Sequence, residues 1–165
     1  MNLKIIAAGA LLPLLSSTAW AEPASPLVQA FAQDASLSNQ FEVSESRIAL
    51  EKSADPHVRA YAQHMIHDHT MAQAKLHAAA QPSQVVTGFM FDPTMQGMVE
   101  ALSAKSGPEF DAAYWADQRE AHASAEAKLS DYATNGEDPM LRRYAAMTLP
   151  VVLMHARMIP ASEGM

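Results

Sequence analysis

The sequence predicts an all-α fold, an up-down-up-down four-helix bundle with a short accessory helix between its second and third long helices. Apolar residues recur at three- and four-residue spacing along most of the chain, and no stretch alternates as a half-buried strand would. Helix starts are also marked, because proline follows a side chain suited to N-capping at Ser25-Pro26, Asp55-Pro56, Asp92-Pro93 and Asp138-Pro139.

These signals divide the chain into four long helices and one short one. Gly107-Pro108 marks a further start, and Asn135-Gly136 ends a helix with a residue pair that tolerates positive φ. Short turns join the first helix to the second and the third to the fourth, which predicts two antiparallel hairpins. The longer link between the hairpins leaves room for the accessory helix across one end. The predicted ranges are 26–53, 56–80, 93–106 (accessory), 108–134 and 139–159.

The N-terminus has the features of a cleaved secretory signal. Lys4 supplies a positive charge, an apolar run follows over residues 5–15, and Ala19-Trp20-Ala21 is a small-x-small cleavage site. The run is too short to span a bilayer comfortably, which favours cleavage over a retained anchor. We therefore expect a secreted protein with no transmembrane segment after cleavage. The predicted division is a signal peptide over 1–21, a flexible leader over 22–27 and one domain over 28–160.

The composition excludes several classes of function. The formal net charge is −7 and no basic run with interleaved aromatics occurs, which argues against nucleic acids and anionic membrane surfaces as partners. The chain has no cysteine, so it has neither disulfides nor a lipid attachment site of the bacterial lipoprotein kind. Its 11 methionines fall mostly at helical core positions. We therefore expect them to fill the core rather than to form a copper-thioether site.

A layer of polar residues on the inward helix faces is the strongest functional signal. His69 lies inside the apolar stripe of the second helix, and a titratable ring on a buried face is costly unless it is paired. At a rise of ~1.5 Å per residue, polar groups from all four helices fall into one slab about 8 Å thick if the hairpins are level. Imidazoles with a carboxylate suit zinc, copper, nickel or iron. The candidate ligands are Glu42, His69, His122 and His155, with Gln118 and Asp68 expected to contact the ligands rather than the metal.

Other interpretations of these residues stay open. A glutamate–histidine–glutamine network can satisfy its own hydrogen bonds and fix helix register without a metal. The set His64, His67 and Asp68 has chelating spacing, but loosely held surface side chains are more often simply solvated. The sequence has no Gly-rich phosphate loop, no Gly-x-Ser-x-Gly motif and no cysteine nucleophile, so an enzyme is disfavoured. An enzyme would need an open cavity beside the slab.

Four motifs occur in a fixed order along the chain: Phe41-Glu42, Met65-x-x-Asp68-His69-Thr70, Phe110-Asp111-x-x-Tyr114-x-x-x-Gln118-x-x-x-His122 and Leu149-Pro150-x-x-x-x-His155. Over roughly residues 28–160 this set resembles a bacterial secreted family, domain of unknown function 4142. Members are often labelled predicted outer membrane protein, a label that these residues do not support. The resemblance implies a periplasmic, ferritin-like four-helix bundle of uncharacterised activity.

The ferritin-like architecture raises the question of a di-iron site. Such a site takes a glutamate from each of two helices and Glu-x-x-His from each of the other two, and no Glu-x-x-His occurs here. A di-iron centre is therefore disfavoured, and a single-ion site rich in histidine stays open. Two functions follow: a metal-binding periplasmic bundle, or a non-catalytic envelope interaction or stress protein whose polar layer is purely structural. The sequence identifies neither the metal, nor an envelope partner, nor the oligomeric state.

Overall fold

The computed structural model describes residues 23–161, and the predicted signal peptide lies outside them. Across these residues the chain forms α helices and one 3-10 turn, Gln81–Ser83, with no β-strand. The predicted all-α four-helix bundle is confirmed, and the helix boundaries agree with the sequence to within a few residues. The helices are α1 Pro26–Lys52, α2 Pro56–Ala80, α3 Pro93–Ser103, α4 Gly107–Asn135 and α5 Pro139–Met158.

Side-chain caps begin four of the five helices, as the sequence predicted. Ser25, Asp55, Asp92 and Asp138 each accept a hydrogen bond from a backbone N–H of the first helical turn, and proline stands at the first helical position. These bonds satisfy donors that would otherwise be unpaired at a helix N-terminus. The fifth start, at α4, has no side-chain cap and instead begins with Gly107 at φ +57°.

The two predicted hairpins are present, but the second runs in the opposite direction to the one expected. The start of α4 lies beside the α1–α2 turn, where Lys52 Nζ donates to the carbonyl of Lys105. Its end lies beside the start of α1, where Lys128 Nζ is 2.8 Å from Asp34. Helices α2 and α4 are therefore parallel, and the prediction of strict up-down-up-down alternation is corrected to this order.

The length of the connection explains this inversion. Residues 85–92 have no regular secondary structure, and α3 adds 11 helical residues. At ~3.3 Å per extended and ~1.5 Å per helical residue, this link can run the full length of the bundle. It does so, since Val85 packs in the apolar cluster at one end and Leu102 in the cluster at the other. The accessory helix thus lies along the bundle rather than across its end.

Two apolar clusters fill the core, one toward each end of the bundle. The first contains residues of the α4–α5 turn region and the α1 N-terminus, such as Phe31, Tyr132 and Leu141. The second surrounds the α1–α2 turn and contains, among others, Val58 and Met65 from α2 and Phe110 from α4. The buried polar residues of the four long helices are distinct from both clusters. This separation leaves a polar layer between two hydrophobic ends.

The helix-ending glycine has a different role from the one predicted. Gly136 has φ −60° and ψ 144°, a conformation open to any residue. A Cβ at this position would overlap the ring of Tyr132 and approach the Tyr132 carbonyl oxygen to 2.6 Å. Glycine is therefore required here by lack of space, not by backbone conformation.

Within residues 23–161, no helix combines the length and hydrophobicity that crossing a bilayer requires.

Candidate metal centre

The four long helices all contribute buried polar side chains to the layer between the two apolar clusters. On α1 these residues recur at three- and four-residue spacing, which aligns them on one inward stripe. The other helices each contribute one or two at a similar depth. The residues are Asn39, Glu42, Glu45 and Ser46 from α1, His69 from α2, Gln118 and His122 from α4, and His155 from α5.

Three of these residues form a compact histidine cluster. One ring nitrogen each of His69, His122 and His155 lies within 4.8 Å of those of the other two, and all three rings are buried. The ring centroids are 5.5 to 5.9 Å apart. Nitrogen ligands of a tetrahedral zinc ion stand about 3.3 Å apart, given Zn–N bonds near 2.0–2.1 Å. The nitrogens would have to approach one another by up to about 1.5 Å to reach that spacing.

Each imidazole has one nitrogen engaged by an oxygen atom. His69 Nδ1 is 3.0 Å from Asn39 Oδ1, and His122 Nδ1 is 2.8 Å from the backbone carbonyl of Gln118. His155 Nε2 is 2.8 Å from the carboxylate of Asp68. Since carbonyl and carboxylate oxygens only accept, these nitrogens carry the proton and donate. The remaining nitrogen of every ring therefore presents a lone pair.

The orientation of Asn39 supports the tautomer of His69. The Asn39 amide nitrogen donates to the Tyr144 hydroxyl at 3.2 Å and faces Gln73 Oε1 at 3.4 Å. This pairing directs the amide oxygen toward His69, as the hydrogen bond between them requires. A hydrogen bond of this kind to the nitrogen that does not bind the metal is typical of metal-binding histidines, in which it fixes the ring and raises its basicity.

The other nitrogen of each ring has no partner within the described residues. These nitrogens are His69 Nε2, His122 Nε2 and His155 Nδ1. Three buried acceptors on neighbouring rings without a donor are unfavourable. A water molecule has two hydrogens and can satisfy two of them, whereas a metal ion accepts all three lone pairs. The donor set therefore fits a cation better than a water molecule.

Burial keeps the three rings neutral, which is the form that binds metal. It lowers the pKa of His69 from 6.5 to about 3 and that of His122 from 6.5 to about 4. The pKa of His155 is also lowered by burial, although Asp68 opposes the shift. A neutral imidazole needs no deprotonation before it binds a metal, so near neutral pH proton competition is weak.

The structure places the other three predicted site residues around this cluster. Glu42 Oε1 is 3.5 Å from His122 Nδ1, the nitrogen that already donates to a carbonyl, so Glu42 lies outside the group of three. Gln118 contributes its backbone carbonyl to His122, and its side-chain amide faces Glu45 at 3.5 Å. Asp68 contacts His155 from the half-exposed edge of α2.

Two buried glutamates form an acidic part of the layer beside His122. Burial is the main cause that raises the pKa of Glu42 from 4.5 to about 8 and that of Glu45 from 4.5 to about 9. Both carboxyl groups are therefore mostly protonated at neutral pH. One oxygen of each, Glu42 Oε2 and Glu45 Oε1, has no hydrogen-bond partner among the described residues.

One member of the site, Asn39, is not among the predicted residues. Its position on the inward stripe of α1, three residues before Glu42, is the signal that identifies it. Asparagine is usually an exposed residue, whereas this one is 4% exposed. Its contacts with His69 and Tyr144 link α1 to both α2 and α5.

Two cavities between the helices reach one histidine of the cluster, His69. A cavity of about 320 Å³ lies between α1 and α4, and Asn39 and His69 form part of its wall. A second, of about 640 Å³, is bounded by the α2–α3 link and reaches the same two residues. The wall of the first also contains the carboxylates of Asp34, Asp92, Asp117 and Glu120. Several carboxylates at an entrance attract cations.

Comparisons with known proteins agree with this description of the fold. A crystal structure of a DUF305 fragment from Deinococcus radiodurans superposes with a TM-score of 0.72, covers 84% of this chain and 95% of its own, and is 16% identical in sequence. At that identity the similarity shows the fold alone. No curated protein matches the sequence. A sequence model of the family described as Domain of unknown function (DUF4142) matches residues 14–161, and the chain therefore belongs to that family.

Proposed function

We propose that the protein binds one transition-metal ion in the periplasm through His69, His122 and His155. Two observations support it most directly: one ring nitrogen of each histidine lies within 4.8 Å of those of the other two, and each buried ring has one nitrogen without a hydrogen-bond partner among the described residues. Three neutral imidazoles suit zinc, copper, nickel or iron. Glu42 is assigned a supporting role behind His122 rather than a bond to the ion.

Three histidine ligands leave a coordination position free in a tetrahedral site. The cavities that reach His69 offer a path by which an ion, a water molecule or a small ligand could approach it. The net charge of −7 and the carboxylates along the cavity favour cation uptake. These features support reversible binding, such as buffering or delivery of the ion.

Metal analysis of the protein purified without a tag from the periplasm tests this proposal. We expect about one ion per chain after incubation with Zn(II), Cu(II), Ni(II) or Fe(II), and a higher melting temperature with the preferred metal. The double variant His69→Ala/His155→Ala should bind none. A matched control is His57→Ala/His64→Ala, which removes two exposed histidines from α2 and should bind normally.

The outcome separates metal binding from a purely structural polar layer. If the layer served only to fix the helices, the wild-type protein would hold no stoichiometric metal, and no metal would raise its melting temperature. Metal loss from the His57/His64 variant, with binding kept in the His69/His155 variant, would assign binding to surface histidines and would also contradict the proposal.

His122→Leu adds a second test that does not depend on removing a large side chain. Leucine fills similar space and loses the lone pair, and the Gln118 carbonyl can still accept from its own helix. We expect the apo-variant to keep most of its melting temperature while the rise caused by metal disappears. A large loss of apo-stability with metal binding intact would favour the structural interpretation.

A further inference from the structure

Most of the described methionines lie on the surface of the bundle rather than in its core. Seven of the nine exposed large hydrophobic residues among the described ones are methionines, and the other two are Leu27 and Val86. The expectation that the methionines fill the core is therefore wrong for most of them. Met65 is the one described methionine that is fully buried. Flexible thioether side chains at a surface are suited to contacts that adapt to a partner.

Four of the exposed methionines form a row along the outer face of α5. Their spacing of seven, seven and four residues keeps them on one side of the helix, and they are Met140, Met147, Met154 and Met158. All of α5 is described, and its other exposed residues are one alanine, two prolines and two arginines. The solvent face of a bundle helix normally consists of polar and charged residues of both signs. The outer face of α5 is instead apolar and basic, which is typical of a contact surface.

The charge of α5 is opposite in sign to that of the whole chain. This helix contains three arginines and no aspartate or glutamate, whereas the formal net charge of the chain is −7. Arg143 and Arg157 are exposed on α5, and Lys75 is exposed on the neighbouring helix α2. A positive patch on an otherwise acidic protein directs an anionic partner to this one face.

A groove between α2 and α5 combines these methionines with these cations. Its volume is about 330 Å³, and its wall contains Met71, Met140 and Met147 together with Lys75 and Arg143. Small side chains from α2 line it as well, and these are Ala72, Ala78 and Ala79. Small residues on one side and flexible thioethers on the other leave room for the apolar side chains of a partner.

The length and direction of the groove suit a helix. The contacts Asp68–His155 and Ser83–Asp138 show that α2 and α5 run in opposite directions side by side. The lining residues of α5 extend from Met140 to Val151, which is about 16 Å along the helix axis. A straight groove of this length accommodates about three turns of a third helix.

The charges of the groove disfavour three other occupants. Lys75 and Arg143 repel a cation, and the one carboxylate in the wall, that of Asp68, already accepts from His155 Nε2 at 2.8 Å. A two-fold contact between copies of this chain would place the same two cations of both copies together. A bilayer with anionic headgroups is flat on this scale, and the net charge of −7 opposes its approach.

We propose that the groove between α2 and α5 binds an amphipathic helical segment of another protein, apolar on one face and acidic along its flanks. The apolar face of that segment packs on Met71, Met140 and Met147, and its carboxylates pair with Lys75 and Arg143. This is the helix-in-groove mode of recognition, in which anchors at three- and four-residue spacing enter a hydrophobic groove. The proposal does not rest on metal binding by the histidine cluster.

A synthetic peptide serves as the probe for the groove. It has about 18 residues, enough to form a helix, with leucine on one face and glutamate along both flanks. Fluorescence anisotropy of the labelled peptide should show saturable binding of one peptide per chain that weakens as salt is added. One control peptide has lysine in place of every glutamate, and another has the same composition in scrambled order. No saturable binding of the glutamate peptide, or equal binding of either control peptide, would overturn the proposal.

The methionine methyl groups report where the peptide binds on the wild-type protein. With these groups labelled with carbon-13, we expect the signals of Met71, Met140 and Met147 to shift together as the glutamate peptide is added. The signal of Met90 should not follow, although Met90 is 92% exposed and is the best control for simple accessibility. An equal response at Met90 would show unspecific contact and would contradict the assignment to the groove.

Charge reversal tests the pairing that the proposal assigns to the two cations. Lys75→Glu/Arg143→Glu should weaken binding of the glutamate peptide by about tenfold or more and should gain binding of the lysine peptide. A matched control is Arg47→Glu/Arg119→Glu, which changes the net charge equally at exposed positions on α1 and α4 and should have little effect. Equal losses in the two variants would assign binding to the overall charge of the chain and would overturn the proposal.

Two further measurements distinguish the other occupants. Binding to phosphatidylglycerol vesicles that Lys75→Glu/Arg143→Glu abolishes would assign the face to lipid. A dimer in analytical ultracentrifugation that the same variant dissociates would assign it to a second copy of the chain. Either result would overturn the proposal. In His69→Ala/His155→Ala the glutamate peptide should still bind, so failure of the histidine site and failure of the groove are distinguishable.

Discussion

The ring of His155 and the carboxylate of Asp68 connect the interior of the bundle to its surface. Their atoms Nε2 and Oδ2 are 2.8 Å apart, and the histidine side chain is 1% exposed while the aspartate side chain is 27% exposed. The carboxylate fixes the proton on Nε2 and leaves the lone pair on Nδ1. A residue on the outside of α2 thus controls which nitrogen of a buried ring is free.

We expect Asp68→Ala to weaken metal binding without removing a ligand. Loss of a hydrogen-bond partner of this kind lowers metal affinity by about 10- to 100-fold, because the ring loses its fixed tautomer and some basicity. Competition with a chromophoric chelator measures the change. Asp131→Ala is the control, since it removes an exposed carboxylate that accepts from Asn135 and lines neither cavity that reaches His69, so it should leave affinity unchanged. Equal affinities for wild type and Asp68→Ala would contradict the role given to this contact.

The buried glutamates predict how stability depends on pH. Glu45 has a pKa raised from 4.5 to about 9, so the folded chain keeps a proton that the unfolded chain has released. The stabilising contribution of Glu45 to the free energy of unfolding is therefore full below pH 4.5. It is lost as the pH rises toward 9, by at most about 1.4 kcal/mol per pH unit. Glutamine resembles the protonated acid. We expect Glu45→Gln to unfold at higher urea concentration than wild type at pH 9.

The histidines have the opposite effect on the acid side. His69 and His122 have pKa values lowered from 6.5 to about 3 and about 4, so the unfolded chain gains protons that the folded chain excludes. Above pH 4.5 the protons that the buried glutamates keep in the folded chain offset this effect. Below pH 4.5 the unfolded chain binds those protons as well, so the free energy of unfolding of the apo-protein should fall as the pH decreases further. Urea titrations from pH 3.5 to 9 measure both the acid and the alkaline loss of stability. A flat profile for wild type, with Glu45→Gln identical to it, would show that these shifts are absent.

Much of this molecule follows from local signals in the sequence. Asp55-Pro56 and Asp138-Pro139 mark helix starts by themselves, because capping depends on residues within one turn. His69 and His155 could be placed at a common depth even with the second hairpin inverted. His69 lies near the middle of α2, and His155, although it is in the last turn of the shorter α5, lies beside His122 near the middle of α4.

What the sequence did not predict depends on contacts between distant residues. The direction of the second hairpin is decided by how the link that contains Val85 and Leu102 packs along the bundle, which no local pattern encodes. Asn39 becomes part of the site only because Tyr144 and His69 meet it from other helices. The surface positions of the methionines likewise require the rotation of each helix, since methionine fits a core equally well.

Gly136 offers a test of the packing at one end of the bundle. We expect Gly136→Ala to destabilise the protein by about 1–3 kcal/mol, since the new methyl group overlaps the ring of Tyr132 and must displace it. That ring stacks on Phe31 with centroids 3.6 Å apart. Urea unfolding measures the loss.

The exposed Gly97 on α3 has open space around it, so Gly97→Ala should be neutral or stabilising. A neutral Gly136→Ala would contradict the steric explanation.

The cavity between α1 and α4 predicts the route by which an ion reaches the histidines. Ala121 lines this cavity and precedes His122, so leucine at this position would narrow the passage and leave the three imidazoles in place. Because the change acts on the path and not on the ligands, Ala121→Leu should slow metal association and dissociation together. The equilibrium affinity should stay the same. Stopped-flow mixing with a fluorescent metal indicator measures both rates.

Ala123→Leu, a substitution at an exposed position on the same helix, is the control and should not alter the two rates. An unchanged rate in Ala121→Leu would assign entry to the other cavity, beside Thr70 and Phe91, and would contradict this route.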